Sequence, residues 1–355
     1  MMLHNTARGE PAKPRLFRPI ADRPLALLRQ CPAYAPTPLR DLPDLAAALG
    51  VARLFAKDES QRMRLGSFKA LGGAFAVAQM VSDAAATPEP VADLQGERAK
   101  AVAAGMTFIT ASAGNHGLSV AAGARVFGAK AVIVLSATVP EGFANRIRSM
   151  GAEVIRVDGS YEDSVAFAIG AAEKNGWLLL ADGSWEGYIE RPALVMEGYT
   201  VLAEECRADF EAGGTWPSHV FLQAGVGGLA AAVAAHIRTL WKQQPAIVVV
   251  EPEAAPCLMA SLRAGRLTRG DGPPSNMGRL DCKDASLISY ESLRSDADSF
   301  MTVTDSEAAA AAQLLTGHGL ATTPSGAAGL AAVKATAPGA DSRCLVIVSE
   351  GPESG

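Results

Sequence analysis

The residue with the clearest chemical potential is Lys69, which follows the strand-like segment ARLFAKDE and the turn residues Gly66, Ser67 and Phe68. A lysine at the start of a helix has its ammonium near the positive end of the helix dipole, which disfavours the charged form. The neutral amine is then a nucleophile that can form a Schiff base with a carbonyl compound. An ordinary first-turn lysine that points to solvent fits this segment equally, so the segment alone leaves both interpretations open.

A second cluster, ITASAGNHGLSVAAGA, ends a predicted strand in Ser112, Ala113, Gly114, Asn115 and His116 before an Ala-rich helix. Small residues let the backbone approach a flat ligand, and the Asn115 amide can donate to a phenolate-type oxygen. A helix cap with a histidine is the alternative interpretation. His116 could be a proton carrier or a packing residue behind the site.

A glycine-rich turn in FLQAGVGGLAAAVAA places Gly225, Val226, Gly227 and Gly228 between a predicted strand and a helix that continues through Leu229. Glycines free the backbone N–H groups to point at one anion, and the helix dipole favours a phosphate there. The turn lacks the GxGxxG spacing and any following Gly-Lys-Ser/Thr, so neither a dinucleotide site nor a nucleoside triphosphate site is indicated.

The last predicted strand, CLVIVSEG, ends in Ser349 and Glu350. A hydroxyl at this position lies at the carboxyl edge of the sheet, where open α/β sheets bind their ligands.

The elements that must position these residues follow a regular order. From residue 106 onward, short aliphatic runs alternate with longer helical stretches, which predicts a doubly wound α/β fold with parallel strands. The strands are predicted at residues 106–112, 130–136, 152–158, 177–182, 219–225, 246–252 and 343–349. Helices are predicted to begin near Asn115, Glu141, Tyr161, Pro192, Gly227 and Ser306. Residues 84–104 and 265–299 break this rhythm and are expected to be surface excursions.

Composition narrows the class of protein. The 355 residues fit roughly two domains by the ~150-residue prior, and the net charge of -5 is spread over interspersed acids and bases. No basic block predicts a nucleic-acid or membrane surface, and no apolar run or signal-peptide core is present, so a cytoplasmic protein is expected. The five scattered cysteines contain no Cys-x-x-Cys pair, which favours free thiols and no metal.

Together the four clusters resemble those of the fold type II pyridoxal 5′-phosphate (PLP) enzymes, which include the threonine and serine dehydratases. The resemblance runs from about residue 34 to the C-terminus. It implies a tryptophan synthase β-like α/β fold of two doubly wound lobes with PLP in the cleft between them. The large cofactor-binding domain is expected at 1–71 and 189–355, and the small domain at 72–188. A homodimer is also expected.

The same resemblance assigns roles by motif. Lys69, next to Phe68, holds the cofactor, and Asn115 contacts its ring oxygen. Residues Gly225, Val226, Gly227, Gly228 and Leu229 take the phosphate. Ser349 faces the pyridine nitrogen. Substrate contacts are implied for Ser112, Ala113, Gly114 and His116.

Within this group the chain is most similar to the diaminopropionate ammonia-lyase family. The stretches that carry this likeness are KDESQRMRLGSFKALGG, ADGSWEGYIERPALVMEGY, LQAGVGG and NMGRLDC followed by YESLR. That family has an aspartate base for the D-substrate where this chain has Ala113, so we expect a preference for L-substrates. Asp182 matches a second family carboxylate, which could bind a β-ammonium leaving group or cap the following helix.

The expected reaction is PLP-dependent β-elimination from a small amino acid, with Lys69 as the general base and a 2-oxo acid and ammonia as products. Asp182 joins Lys69 as a catalytic residue. The alternatives are a dehydratase of serine, threonine or a hydroxyaspartate-like acid, a β-replacement synthase, and a non-catalytic ligand binder. Arg279 is interpreted as a surface ion pair or as a contact for an acidic substrate.

Overall fold

The computed structural model describes residues 1–9, 14–86, 96–112 and 114–352, and the fold below refers to these residues. The strands are β1 (Met2–His4), β2 (Leu39–Asp41), β3 (Arg53–Asp58), β4 (Thr107–Ala111), β5 (Lys130–Ser136), β6 (Glu153–Val157), β7 (Leu178–Leu179), β8 (His219–Gln223), β9 (Ala246–Pro252), β10 (Ser299–Val303) and β11 (Arg343–Val348). The helices are α1 (Asp22–Leu28), α2 (Pro43–Leu49), α3 (Lys69–Ala85), α4 (Glu97–Ala103), α5 (Asn115–Phe127), α6 (Glu141–Ser149), α7 (Tyr161–Asn175), α8 (Glu190–Gly213), α9 (Gly228–Leu240), α10 (Cys257–Ala264), α11 (Leu287–Asp296), α12 (Asp305–Gly317) and α13 (Pro324–Thr336). A short 3₁₀ turn spans Arg62–Arg64.

Two sheets organise these elements. The larger has the strand order β1-β10-β9-β8-β11-β3-β2, with parallel pairing from β10 to β3 and antiparallel edge strands β1 and β2. The smaller has the order β6-β5-β4-β7 and is parallel throughout. Central strands such as β8 and β11 are buried along almost their whole length, as aliphatic strands covered by helices on both faces require. The predicted α/β class with parallel strands is confirmed.

The predicted helix starts agree with the structure to within two residues, but the expectation for residues 265–299 is wrong. This segment contains α11, whose Ile288, Tyr290 and Leu293 are buried and whose helix packs against α9. The serines and aspartates of the segment concealed this apolar face in the sequence. In the other excursion, α4 begins at Glu97, and residues 87–95 lie outside the described residues. No helix among the residues described is long and apolar enough to cross a membrane.

Helix α3 is fixed by very close contact with α8. A Cβ atom added at Gly72 would lie 2.7 Å from the Val195 carbonyl oxygen, and one added at Gly198 would lie 2.6 Å from that of Leu71. Real Cβ atoms do not approach backbone this closely, so glycine is required at both positions. On another face of α3, a Cβ atom added at Gly73 would overlap the side chain of Ser119 on α5. The helix that begins with Lys69 is therefore held by both neighbours.

A buried ionic network precedes this helix. Arg62 donates to both carboxylate oxygens of Glu59 and of Glu205 at 2.7–2.8 Å. Lys57 pairs with Glu205 at 2.7 Å and also donates to the Thr37 carbonyl. The side chains of Lys57, Glu59 and Arg62 are fully inaccessible to solvent. Burial disfavours ionised Glu205, but Arg62 and Lys57 outweigh this cost and hold the pKa of its carboxyl below the ordinary value. The two cations and two anions thus form a neutral cluster.

We predict that Glu205→Ala lowers the free energy of unfolding by about 3–5 kcal/mol, because it leaves two buried cations with one buried carboxylate. The measurement is urea denaturation followed by circular dichroism. Glu211→Ala is the matched control, since Glu211 lies on the same helix and pairs with Arg207 and Lys242 near the surface. Its effect should be much smaller. Equal losses for the two variants would show that the network adds nothing beyond surface pairing.

Candidate active site

Lys69 is the first residue of α3, as predicted, and its side chain meets Asp182 at the end of the smaller sheet. Its ammonium forms an ion pair and a hydrogen bond with Oδ2 of Asp182. The rings of Phe68 and Tyr199 lie 5.3 and 5.7 Å from Nζ. About a fifth of each charged side chain remains accessible. The site therefore offers an amine and a carboxylate beside two aromatic rings, open to a small molecule.

The prediction that the helix start would lower the lysine pKa is wrong for this environment. Burial opposes the charged form of Lys69, but the adjacent Asp182 carboxylate outweighs it and holds the pKa of the amine above its ordinary value. Burial likewise opposes ionised Asp182, and Lys69 reverses the effect and lowers the pKa of that carboxyl. A direct ion pair is stronger than the partial charge of a helix end. Lys69 must therefore lose a proton before it can act as a nucleophile, and Asp182, whose pKa is lowered, is a poor acceptor for that proton.

The turn before Lys69 is tied to the end of β11. The backbone N–H of Phe68 donates to the Ser349 carbonyl at 3.1 Å, and Ser67 forms an isolated antiparallel bridge with Glu350. Gly66 has φ +84°, a conformation that favours glycine. Two predicted site residues, Lys69 and Ser349, are thereby brought to the same edge of the larger sheet.

Ser349 is oriented by Gln223, whose importance the sequence did not reveal. The Gln223 Nε2 atom donates to Ser349 Oγ at 3.1 Å and to the Ile347 carbonyl at 2.8 Å. A carbonyl partner fixes which end of the amide is nitrogen. Because the Ser349 oxygen accepts from Gln223, its own proton remains available to a ring nitrogen. Gln223 ends β8 immediately before the glycine turn, which is the one sequence signal that could have identified it.

Asn115 lies at the start of α5 and donates to the buried carboxylate of Glu350 at 2.5 Å. Thr323 donates to the other oxygen of that carboxylate. The Arg279 guanidinium lies 3.8 Å from it and 5.4 Å from the Phe143 ring centre, with 31% of its side chain exposed. Arg279 is thus a partly buried ion-pair member at the site, and the surface location we considered for it is wrong.

The glycine turn leads into α9 beside the Lys69–Asp182 ion pair. Gly227 precedes the helix with φ +100°, and the first N–H groups of a helix have no partner within it. A Cβ added at Gly228 would lie 3.5 Å from the Tyr199 ring and 3.9 Å from the Asp182 carbonyl oxygen. Val226 accepts a hydrogen bond from the Ser286 N–H, and Leu229 is buried. The turn therefore forms a glycine cradle that faces the Lys69 surroundings.

The remaining predicted residues have different environments. His116 is buried with Nε2 2.8 Å from the Leu180 carbonyl, and burial lowers its pKa, so the ring is neutral with its proton on Nε2. Ser112 accepts a local hydrogen bond from the Gly114 N–H at 3.3 Å. A Cβ at Gly114 would approach Arg279 to 3.4 Å. Ala113 lies outside the described residues.

Comparisons with known proteins agree with this geometry. The family model described as pyridoxal-phosphate dependent enzyme matches residues 31–350. The diaminopropionate ammonia-lyase of Escherichia coli (strain K12) is 36% identical over 285 residues, which cover 79% of this chain and 71% of that protein. A probable D-serine dehydratase of Acidovorax ebreus is 28% identical over 70% of this chain and 58% of its own length.

Solved structures give the same result. The crystal structure of the Escherichia coli diaminopropionate ammonia-lyase in complex with D-serine superposes with a TM-score of 0.86 at 30% identity, covering 99% of this chain and 93% of that chain. Another crystal structure of that lyase, with TM-score 0.86 and 31% identity, contains an aminoacrylate-PLP azomethine reaction intermediate. The expected fold type II architecture is confirmed. The chain therefore belongs to the family of pyridoxal-phosphate-dependent enzymes that includes the diaminopropionate ammonia-lyases.

Proposed function

We propose that this enzyme catalyses β-elimination from a small amino acid and releases ammonia and a 2-oxo acid, with diaminopropionate as the first candidate substrate. The observation that carries the proposal is the ion pair of Lys69 with Asp182 beside the glycine cradle. An amine at this place can bind the cofactor covalently, and the carboxylate can hold a cationic leaving group. The likeness to diaminopropionate ammonia-lyases supports the same reaction class.

The residues present fit pyridoxal phosphate. Lys69, with Phe68 beside it, would hold the cofactor, and the N–H groups of residues 225–229 would hold its phosphate. Asn115 would donate to the ring oxygen, with its amide oriented by Glu350. Ser349 would donate to the ring nitrogen, because Gln223 already occupies its oxygen. Each group of the cofactor thereby has a partner of suitable chemistry.

The proposed chemistry needs one base and one site for a cationic group. Bound pyridoxal phosphate delocalises the electron pair that remains at the substrate Cα after proton removal. Lys69 removes the α-proton as its neutral amine, after passing its own proton to the β-amino group of the substrate, which becomes the ammonium that departs as ammonia. The Asp182 carboxylate then stabilises an ammonium on the β-carbon. This charge favours ammonia over a neutral hydroxyl as the leaving group, so diaminopropionate is preferred to serine as the candidate.

The substrate contacts follow from the loop that joins β4 to α5. We propose that Ser112, Ala113 and Gly114 line the substrate and that His116 positions the strand end near Asp182 through its bond to Leu180. We further propose a large domain at 1–71 and 189–355, a small domain at 72–188, a homodimeric assembly and a cytoplasmic location. Five free cysteines accord with a reducing compartment.

We predict that Lys69→Ala removes the visible absorption band of bound pyridoxal phosphate and lowers turnover at least ~10²-fold, because the covalent attachment and the base are lost together. The measurement is an absorption spectrum of the reconstituted enzyme with a coupled assay for 2-oxo acid. Lys130→Ala, at the exposed start of β5, is the control. A Lys69→Ala enzyme with wild-type turnover would refute the assignment.

Gly228→Asp should weaken pyridoxal phosphate binding by roughly tenfold or more, because a carboxylate would face the phosphate at the helix start. Gly228→Asn is the isosteric control without charge. Gly227 is a poorer position for this test, since a Cβ there would lie 2.8 Å from the Ser289 Cβ. Cofactor titration by fluorescence gives the two affinities. Equal affinities for the Asp and Asn variants would place the phosphate elsewhere.

The enzyme should prefer L-substrates, because a methyl group at position 113 cannot take the α-proton that the family's aspartate removes from D-substrates. Lys69 would remain as the base for the L-isomer. The kcat/KM values for the two isomers of diaminopropionate measure the preference, and Ala113→Asp should raise the D-isomer value. Ala113→Asn serves as the uncharged control. Equal consumption of both isomers by the wild type would contradict the prediction.

A further inference from the structure

A polar cleft adjoins the turn that carries Lys69. It has a volume of about 240 Å³ and contains Gly66, Asn115, Thr323 and Glu350 in its wall. Gly66 lies three residues before Lys69, and Glu350 follows Ser349 directly. Asp182 is not among the residues of this wall. The cleft therefore borders the proposed site without including the carboxylate that pairs with Lys69.

Three arginines give this cleft an excess of positive charge. Arg64, Arg146 and Arg279 all line it, and Glu350 is the one acidic side chain in its described wall. Glu350 already accepts hydrogen bonds from Asn115 and Thr323. Neither Arg64 nor Arg146 has a carboxylate within 4.0 Å in the part of the chain that the structure describes. Guanidinium groups match carboxylates in geometry as well as in charge.

Two of these arginines are held by specific contacts, and the third lies in strained backbone. Arg146 reaches across from α6 and donates to the Leu65 carbonyl at 3.1 Å. Arg279 stacks on Phe143, also on α6, beside Gly114. Arg64 follows Met63 in a pair of residues with φ values of 60° and 50°, which non-glycine residues adopt at a cost of about 1–3 kcal/mol each. Such strained backbone occurs preferentially at functional sites.

We propose that this cleft binds a second acidic group of the substrate, so that, for a given β-leaving group, the enzyme prefers amino acids that carry a further carboxylate. The inference rests on the proposed β-elimination at Lys69 and specifies the substrate class. The cleft binds the added carboxylate through Arg64 and Arg146. Arg279 lies in the same wall, next to Gly114 in the loop after β4. A substrate with one carboxylate leaves Arg64 and Arg146 without this contact and is used less well.

Two matched pairs of small molecules test the proposal. L-Aspartate and L-alanine differ in a carboxylate and have no β-leaving group, so their binding to the holoenzyme by isothermal titration calorimetry does not depend on elimination. β-Hydroxyaspartate and serine share a hydroxyl leaving group and differ in the same carboxylate. The wild type should bind aspartate more tightly than alanine, and its kcat/KM should be higher for hydroxyaspartate than for serine.

Arg64→Gln and Arg146→Gln should each reduce both preferences by roughly tenfold or more, as expected for a lost charged hydrogen bond. Arg125→Gln, an exposed α5 arginine outside the cleft, should leave the ratios unchanged. Wild-type enzyme without a preference for the dicarboxylic partner would overturn the inference. So would variants that lose both partners equally, since the cleft would then bind the carboxylate common to all amino acids.

The outcome also separates this inference from the function on which it rests. Tight aspartate binding that Arg64→Gln weakens, without elimination from any amino acid tested, would support the cleft and refute the proposed reaction. Elimination from diaminopropionate or serine, without selectivity for the dicarboxylic compounds, would support the reaction and refute the cleft.

Discussion

The position of Lys69 depends on a buried neutral cluster of charges. Arg62 bridges Glu59, which directly follows β3, and Glu205 on α8. The next two residues, Met63 and Arg64, have strained backbone with positive φ. Burying four charges is costly, and the cost is recovered only when every partner is in place. The network therefore ties the segment that follows β3 to α8. Residues Gly66 to Lys69 come next in the chain, and Ser67 and Phe68 bond to the backbone at the end of β11.

Close backbone contact between α3 and α8 also fixes the position of Lys69. Gly72 and Gly198 allow α3 and α8 to pack with their backbones in contact. Tyr199, the residue after Gly198, therefore lies beside Lys69. Its ring meets Phe68 edge to face at 4.9 Å, and both rings border Nζ of Lys69. The same helix that supplies Glu205 to the ionic cluster thus also supplies an aromatic wall of the site. Stability and function share α8, so substitutions along its buried face should affect both.

The sequence was sufficient to locate residues that stand at the ends of predicted elements. Lys69, Asn115, Gly227 and Ser349 each stand at the end of a strand or the start of a helix, and parallel strands place such ends at one sheet edge. The sequence could not reveal partners that meet only through the tertiary fold. Asn115 and Glu350 are 235 positions apart, and no periodicity connects them.

Electrostatics was the least predictable property for the same reason. The helix start at Lys69 is visible in the sequence, but the sign of its pKa shift depends on Asp182, which is 113 positions away in the smaller sheet. The α11 prediction failed for a different reason, since the polar and charged residues of this helix outnumber its apolar residues although one face is buried. Composition describes the average of a helix, whereas burial depends on a single face.

The charges around the site are arranged asymmetrically, and this limits the substrates that fit. Asp182 places negative charge beside Lys69, whereas the arginines place positive charge in the adjoining cleft. Ser349, which we propose to face the ring nitrogen, offers only a neutral hydroxyl, whereas a carboxylate would stabilise a protonated ring nitrogen. Because a hydroxyl does little to keep the ring nitrogen protonated, elimination needs a leaving group that departs readily. An ammonium held by Asp182 meets this requirement, and an acidic group held by the arginines would orient the substrate so that its leaving group faces Asp182.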